Sequence, residues 1–397
     1  MNMNMNMNMN IKIKYLTKLI LGTTIISCSP KAQMEREADS TTQAAYQVII
    51  PEMKDSLDIH YSRIFSKMKY IHLESSTQES IIGTITRMVI TGNKDIVILD
   101  GVNFKIVRYD CEGHFLNLIG ERGHGPNEYV LPTAIDYDKY TNQILVWDDA
   151  SKKILYYTLD GKIAKKVHLS NLWDFRVSGK NHWVYFYNYP RKGVKFNYTI
   201  ADLKGKETSH FEPLVGTEAM DCRPAAENVF SRTEKDELLC RSYYSSIIYK
   251  VTENSVTPFI ELTPPNKSWA IGKPEQLGSA FENRYNAEVR STFVINNKVI
   301  VSGYHFTDKY SYLLCADLKG NRFAGKNEIN DVYGFAKITC FITNLHDDIY
   351  AYISPNNYLE LLKQWKDRTD IPQEDRDFAI KMSNSLNPII FVCTVKD

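Results

Sequence analysis

Asp95-Ile96-Val97-Ile98-Leu99-Asp100, followed by Ile106-Val107-Arg108-Tyr109-Asp110 and Glu112-Gly113, is written again 48 residues later. The second copy is Gln143-Ile144-Leu145-Val146-Trp147-Asp148, then Ile154-Leu155-Tyr156-Tyr157-Thr158, then Asp160-Gly161. In both copies the Asp that ends the first apolar run lies six residues before the Ile that opens the next, and that Ile lies seven before the turn glycine. Short apolar runs bounded by Asp and Gly read as β-strands joined by tight turns. A unit of several such strands, repeated at this period, needs its neighbours to bury its faces.

Looser copies extend the pattern toward the C-terminus. Val184-Tyr185-Phe186-Tyr187 leads to Ala201-Asp202-Leu203-Lys204-Gly205, Leu238-Leu239-Cys240 leads to Glu253-Asn254, and Val299-Ile300-Val301 leads to Ala316-Asp317-Leu318-Lys319-Gly320. The turn positions fall at Gly113, Gly161, Gly205, Asn254 and Gly320, spaced by 48, 44, 49 and 66 residues. A sixth unit fits between Ile338 and Asp397, and six units use up the chain. The reading is an all-β, six-bladed β-propeller over residues 67–397. Ring closure is expected from Tyr70–Leu73 pairing with Ile389–Val395. Asn357–Trp365 and Gln373–Leu386 have helical spacing, with Pro372 suited to a first turn, and form a small helical insertion in the last blade.

The N-terminus has a different character. Five Met-Asn repeats precede Lys12, Lys14 and Lys18, then the apolar run Leu19–Ile26 and Ile25-Ile26-Ser27-Cys28. Positive charge, a short apolar core and a small residue before the cut make residues 1–27 a secretory signal peptide. The eight-residue run is far short of the roughly 20 residues a membrane span requires. The tetrapeptide resembles the bacterial lipobox, which makes Cys28 the lipidation site and the membrane a partner through the acyl anchor. Residues 28–66 are polar and read as a flexible tether. No tight acidic run follows Cys28, which points to the periplasmic side rather than the cell surface.

The whole chain carries a net charge of +1. Loss of the three lysines in residues 1–27 leaves 45 basic and 47 acidic residues. That balance excludes a nucleic-acid surface. Of the seven cysteines, none has the spacing of a metal site. Cys222, in a polar stretch, is loop-borne, with Cys240 its candidate disulfide partner.

Ile119-Gly120-Glu121-Arg122-Gly123-His124-Gly125-Pro126-Asn127-Glu128-Tyr129 is similar to the glycine-rich segment of the six-bladed β-propeller lipoproteins of Bacteroidota, and Asn387-Pro388-Ile389-Ile390-Phe391 to their C-terminal strand. The repeats also resemble the NHL type. The resemblance implies a lipid-anchored propeller and supplies no catalytic residues. It puts Asn127 where the family has a second glycine.

Two stretches offer a ligand surface. In the glycine-rich segment, backbone N–H groups with Arg122 and His124 would hold an anion, with Glu128 and Tyr129 on the same candidate surface; the competing role is a structural turn between blades, with Pro126 fixing the exit and Glu128 accepting backbone hydrogen bonds. Trp183, Tyr185 and Tyr187, in the richest aromatic run, offer stacking faces for a glycan, although alternation along a strand sends half of them inward. Neither a nucleophile elbow nor a metalloprotease motif is present. No catalytic residue, metal ligand or cofactor is assigned. The expected function is binding of a protein or glycan ligand. The alternative is a Ca²⁺-dependent hydrolase or lyase using channel carboxylates, for which Asp136, Asp138, Asp148 and Asp149 are the nearby acids.

Overall fold

A computed structural model describes residues 43–52, 58–169, 172–186, 196–213, 228–242, 245–253, 255–266, 269, 287–306, 309–320, 322–325, 327–333 and 337–397. Cys28, Tyr187 and Cys222 lie outside them.

Six antiparallel sheets follow one another along the chain. Blade 1 spans Ile85–Leu118, blade 2 Pro132–His168, blade 3 Asp174–Pro213, blade 4 Phe230–Thr263 and blade 5 Ala287–Gly325. Blade 6 takes its three inner strands from Cys340–Val395 and its outermost strand, Phe65–His72, from the N-terminal end of the body. There Ile71 faces Ile390 and Met68 faces Cys393, so the two chain ends close the ring as the sequence led us to expect. Closure removes the open faces that a row of sheets would leave.

The repeat has a local cause. At the outer hairpins of blades 1, 3 and 5 an Asp side chain accepts N–H bonds across the turn: Asp110 from Glu112 and His114, both 2.9 Å, Asp202 from Lys204 and Lys206 at 2.8 and 2.9 Å, and Asp317 from Lys319 at 2.9 Å; Thr158 and Thr252 do the same in blades 2 and 4. The glycine three positions on has φ of +96° at Gly113 and +84° at Gly205, a region costly for any side chain. At the end of the second strand in blades 1 and 2, Asp100 accepts from the backbone N–H of Gly83, Thr84 and Val102, and Asp148 from Leu131 N–H at 2.8 Å. Burial pushes the Asp100 carboxyl up, but bonds from Gly83, Asn103, Thr84 and Val102 outweigh it and hold it below the ordinary range.

The described core divides into six apolar clusters, each between adjacent blades. Trp147 and Trp183 lie in the cluster between blades 2 and 3, and Ile71, Ile98 and Ile390 in the one that joins blade 6 to blade 1. Asn387, fully buried, locks that junction. Its Oδ1 accepts from Ile82 N–H at 2.7 Å, and its amide donates to the carbonyls of Glu74 and Ser80 at 2.9 Å and toward Leu73 at 3.4 Å. The last blade carries the expected insertion: Pro355–Gln364 and Gln373–Ser383 are helices, packed through Tyr358, Trp365, Ala379 and Met382 on the blade 5–6 cluster.

The span read as a tether contributes structure of its own. Tyr46–Ile49 adds a fifth, parallel strand to blade 4, and Asp58–His60 pairs in parallel with Asn327–Ile329 beside blade 5. Phe65 already belongs to blade 6, so the body begins well before residue 67. The missed signal is the short runs Val48-Ile49-Ile50 and Ile64-Phe65 and the single Ile59 in an otherwise polar stretch; Val48, Ile50, Ile59 and Ile64 are all buried. Cys240 is a free, buried thiol; its candidate disulfide partner Cys222 lies outside the described residues.

Candidate functional site

The first strand of each blade is innermost, so a polar residue on it faces the axis. Arg87 of blade 1 donates from Nε to Asp174 Oδ2 of blade 3 at 3.1 Å. Asp174 Oδ1 accepts from Arg176 Nη1 at 2.8 Å, and Arg176 Nε lies 3.8 Å from Asp136 Oδ1 of blade 2. Asp136 also accepts from Val177 N–H at 2.7 Å. All four side chains are buried. Burial pushes the Asp136 carboxyl up, and Arg176 and Arg232 pull it back only in part. Charges this deep persist only when paired.

This chain of charges separates two cavities, and Arg176 lines both. The smaller, about 50 Å³, opens where the inner strands begin. The larger, about 310 Å³, opens where they end. Its floor is Asp136, Arg176 and Phe230, the guanidinium of Arg176 standing 5.3 Å from the Phe230 ring. Its rim carries Lys139, Tyr140, Asp236 and His346. Asp236 bonds to Lys139 across the mouth and lies 3.3 Å from Arg232 Nη1. Arg232 also donates to Val177 O at 2.7 Å, while Asn344 bonds both backbone groups of Arg232. Residues from blades 1, 2, 3, 4 and 6 therefore meet in one funnel with a closed floor.

The glycine-rich segment Gly120–Tyr129 links blades 1 and 2 at the outer side, away from this mouth. Glu128 turns inward and accepts from Gly125 N–H at 2.7 Å. A Cβ on Gly123 would stand 1.9 Å from that carboxylate and one on Gly125 2.9 Å from it, so the carboxylate fills the glycine cradle. Tyr129 is buried against Tyr157, Arg122 rests 4.7 Å over the Phe104 ring, and His124 is exposed. The loop thus holds an anion of its own. In the aromatic run, Trp183 is fully buried and Tyr185 nearly so, its hydroxyl donating to Glu207 at 3.0 Å.

The four acids adjacent in sequence are dispersed. Asp136 faces the axis, Asp138 caps the following turn through Tyr140 N–H and Thr141, Asp148 caps the opposite end of the blade, and Asp149 pairs with Lys152. Each carboxylate on the axis is already paired with a guanidinium, Asp174 with Arg87 and Arg176, Asp136 with Arg176 and Asp236 with Arg232, a donor set that does not fit Ca²⁺. Among the described residues, Asp110, Glu112 and His114 alone bring three metal-type ligand atoms together, on an exposed hairpin whose Asp110 is already occupied by the turn. Arg87, Arg176, Arg232 and Asn344 were not singled out from the sequence. The signal was a charged or amide residue inside the apolar first strand of a blade.

Fold and axis define a six-bladed β-propeller closed by its N-terminal strand. Residues 47–394 match the domain of unknown function DUF4934, and the chain belongs to that family. Its structure is similar to that of a Bacteroides fragilis NCTC 9343 protein whose name describes it as exported, with a TM-score of 0.71 at 15% identity over 88% of this chain and 100% of that one. It is also similar to a DUF4221-family member from Bacteroides vulgatus ATCC 8482, with a TM-score of 0.52 at 12% identity over 84% and 98% of the two chains. At these identities the likeness is one of fold. No functionally curated protein matches the chain.

Proposed function

We propose that this chain is a lipid-anchored envelope protein that binds a protein or glycan ligand in the funnel where the inner strands end. The observation that carries the reading is the cavity of about 310 Å³ over a floor of mutually neutralised charges. It lies at the lower end of the roughly 300–1,000 Å³ that small-ligand sites occupy. The paired floor leaves no lone carboxylate for a cation and no nucleophile beside a base, so binding suits the site better than Ca²⁺-dependent hydrolysis or elimination. The rim supplies an exposed aromatic ring, a cation and a carboxylate, the mixture that orients a polar ligand.

The envelope assignment rests on the signal peptide, the lipobox at Cys28 and the exported-protein name of the B. fragilis neighbour. No helix among the described residues is long and apolar enough to cross a membrane, so the acyl chains would provide the anchorage. The periplasmic face and membership in the NHL-like propeller lipoproteins belong to the same proposal.

Two experiments test it. Metabolic labelling with an alkyne fatty acid should mark the wild type and not Cys28→Ser, with the label in the membrane fraction. Glycan-array and envelope pull-down signals from the wild type should fall in Tyr140→Ala and Lys139→Ala, both rim substitutions with no core contact to lose. Signals that survive both substitutions would move the site elsewhere.

A further inference from the structure

We infer that the funnel takes a carboxylate-bearing sugar, and that the sugar's carboxylate replaces Asp236 between Lys139 and Arg232. The inference rests on the funnel being the ligand site and names the chemistry it selects. Three cations reach it from three blades: Lys139 from blade 2, Arg176 from blade 3 and Arg232 from blade 4. Arg176 is committed to Asp174 and Asp136 on the floor. Lys139 and Arg232 are held together at the mouth by one carboxylate, that of Asp236.

Asp236 belongs to a turn rather than to the floor. Its N–H bonds Thr233 O at 2.9 Å, and its φ is +64°, in the left-handed region. The Lys139 side chain is 49% exposed, so the cation it presents is open to a ligand entering from solvent. The position between the two cations is already shaped by a carboxylate, one oxygen turned to Arg232 and the other to Lys139, so a ligand carboxylate can take both contacts there.

The sugar follows from the other rim groups. The Tyr140 ring is 46% exposed, with Lys139 Nζ 5.1 Å from its centroid, so ring and cation are placed to meet the face and the carboxylate of one pyranose. Tyr137, Ser178 and Ser231 line the same cavity with hydroxyls that can accept bonds from ring hydroxyls, while Asn344 is held by the backbone of Arg232. The cavity volume and closed floor fit a terminal sugar entering end-on.

The test is isothermal titration of the full chain in detergent micelles at low salt with glucuronate, galacturonate, glucose, galactose and a glutamyl dipeptide. The expected result is uronate binding at least about tenfold tighter than the neutral sugars, weakening as salt is added. Lys139→Gln should weaken it by about fivefold or more. Asp236→Asn removes the resident charge while keeping a residue that tolerates positive φ, and should tighten uronate binding by about tenfold. Superimposable melting curves would show that both variants fold.

Equal affinity for neutral and acidic sugars, or no tightening in Asp236→Asn, would overturn the carboxylate inference and leave the funnel as a ligand site. Binding of the glutamyl dipeptide in place of uronates would overturn the sugar. If no probe binds, the inference fails, and the rim substitutions described above decide separately whether the funnel binds anything.

Discussion

Asn387→Ala tests how the ring is held shut. The Asn387 side chain is fully buried and satisfies Ile82 N–H, Glu74 O and Ser80 O with good geometry. Alanine leaves those groups in a closed, apolar junction. Ser80 O keeps the Tyr109 hydroxyl as a second donor, so the loss falls mainly on Ile82 N–H and Glu74 O. At about 1–3 kcal/mol for each buried group left unpaired, the expected cost for the two is about 2–6 kcal/mol. With unfolding entropy of about 2.1 cal/mol/K per residue over a body of about 350 residues, that lowers Tm by roughly 3–8 °C. The assay is a thermal melt of wild type and variant, joined to native-state hydrogen exchange over residues 73–82. Exchange there should accelerate before the rest of the body opens. Asn387→Asp should cost more at neutral pH, since it turns a carboxylate toward three carbonyls. A Tm within about 1 °C of wild type for Asn387→Ala, with unchanged exchange at Ile82, would refute the reasoning.

Other outcomes follow from the same structure. Gly113→Ala should cost more than Gly320→Ala: both glycines have positive φ, but a Cβ on Gly113 meets His72 O at 2.4 Å whereas one on Gly320 meets nothing within 4 Å. Gly320→Ala then costs only the left-handed strain of about 1–2 kcal/mol, and denaturant midpoints of the two variants check the order. Asp100→Asn and Glu328→Gln should show opposite pH dependence in melts from pH 3 to 8. The Asp100 carboxyl is held low, so its stabilisation is present above about pH 4, the ordinary Asp range, and lost as pH falls through its folded value. Its replacement should therefore cost about 1–3 kcal/mol at neutral pH and progressively less in acid. Glu328 is the reverse case. Burial raises its carboxyl, with the Tyr61 hydroxyl 2.8 Å away and Lys337 offsetting in part. Its contribution is greatest in acid and is lost as pH rises through the raised value, so Glu328→Gln should raise Tm at neutral pH and gain nothing near pH 4.

Much of the fold was legible because the propeller writes its turns in side chains. Asp110, Asp202 and Asp317 each accept turn N–H bonds, and Gly113, Gly205 and Gly320 each take positive φ, so chemistry recurs where geometry recurs. Ring closure was legible because Ile71 sits in an alternating strand near the start of the body and Ile390 in a continuous apolar strand at the far end of the chain. The N-terminal belt was not, since Tyr46–Ile49 is a four-residue strand with only Val48 buried, too short for a period to show. The site was harder still. Asp136 and Asp148 are twelve residues apart in sequence, yet they occupy opposite ends of one blade, one on the axis and one capping a turn. Arg87, Asp174 and Arg232 come from three blades, and only ring closure brings them to one axis. Sequence adjacency suggested the glycine-rich loop, where the anion turned out to be Glu128 itself.

The most direct test of the central claim is site-specific photocrosslinking in intact cells, with the crosslinker at position 140 on the funnel rim or at position 102 on the opposite face. Tyr140 and Val102 are both exposed, so either substitution leaves the core intact. The account predicts a defined ligand adduct from position 140, lost with Lys139→Ala, and none from position 102. An adduct from position 102 alone, or none from position 140, would contradict it.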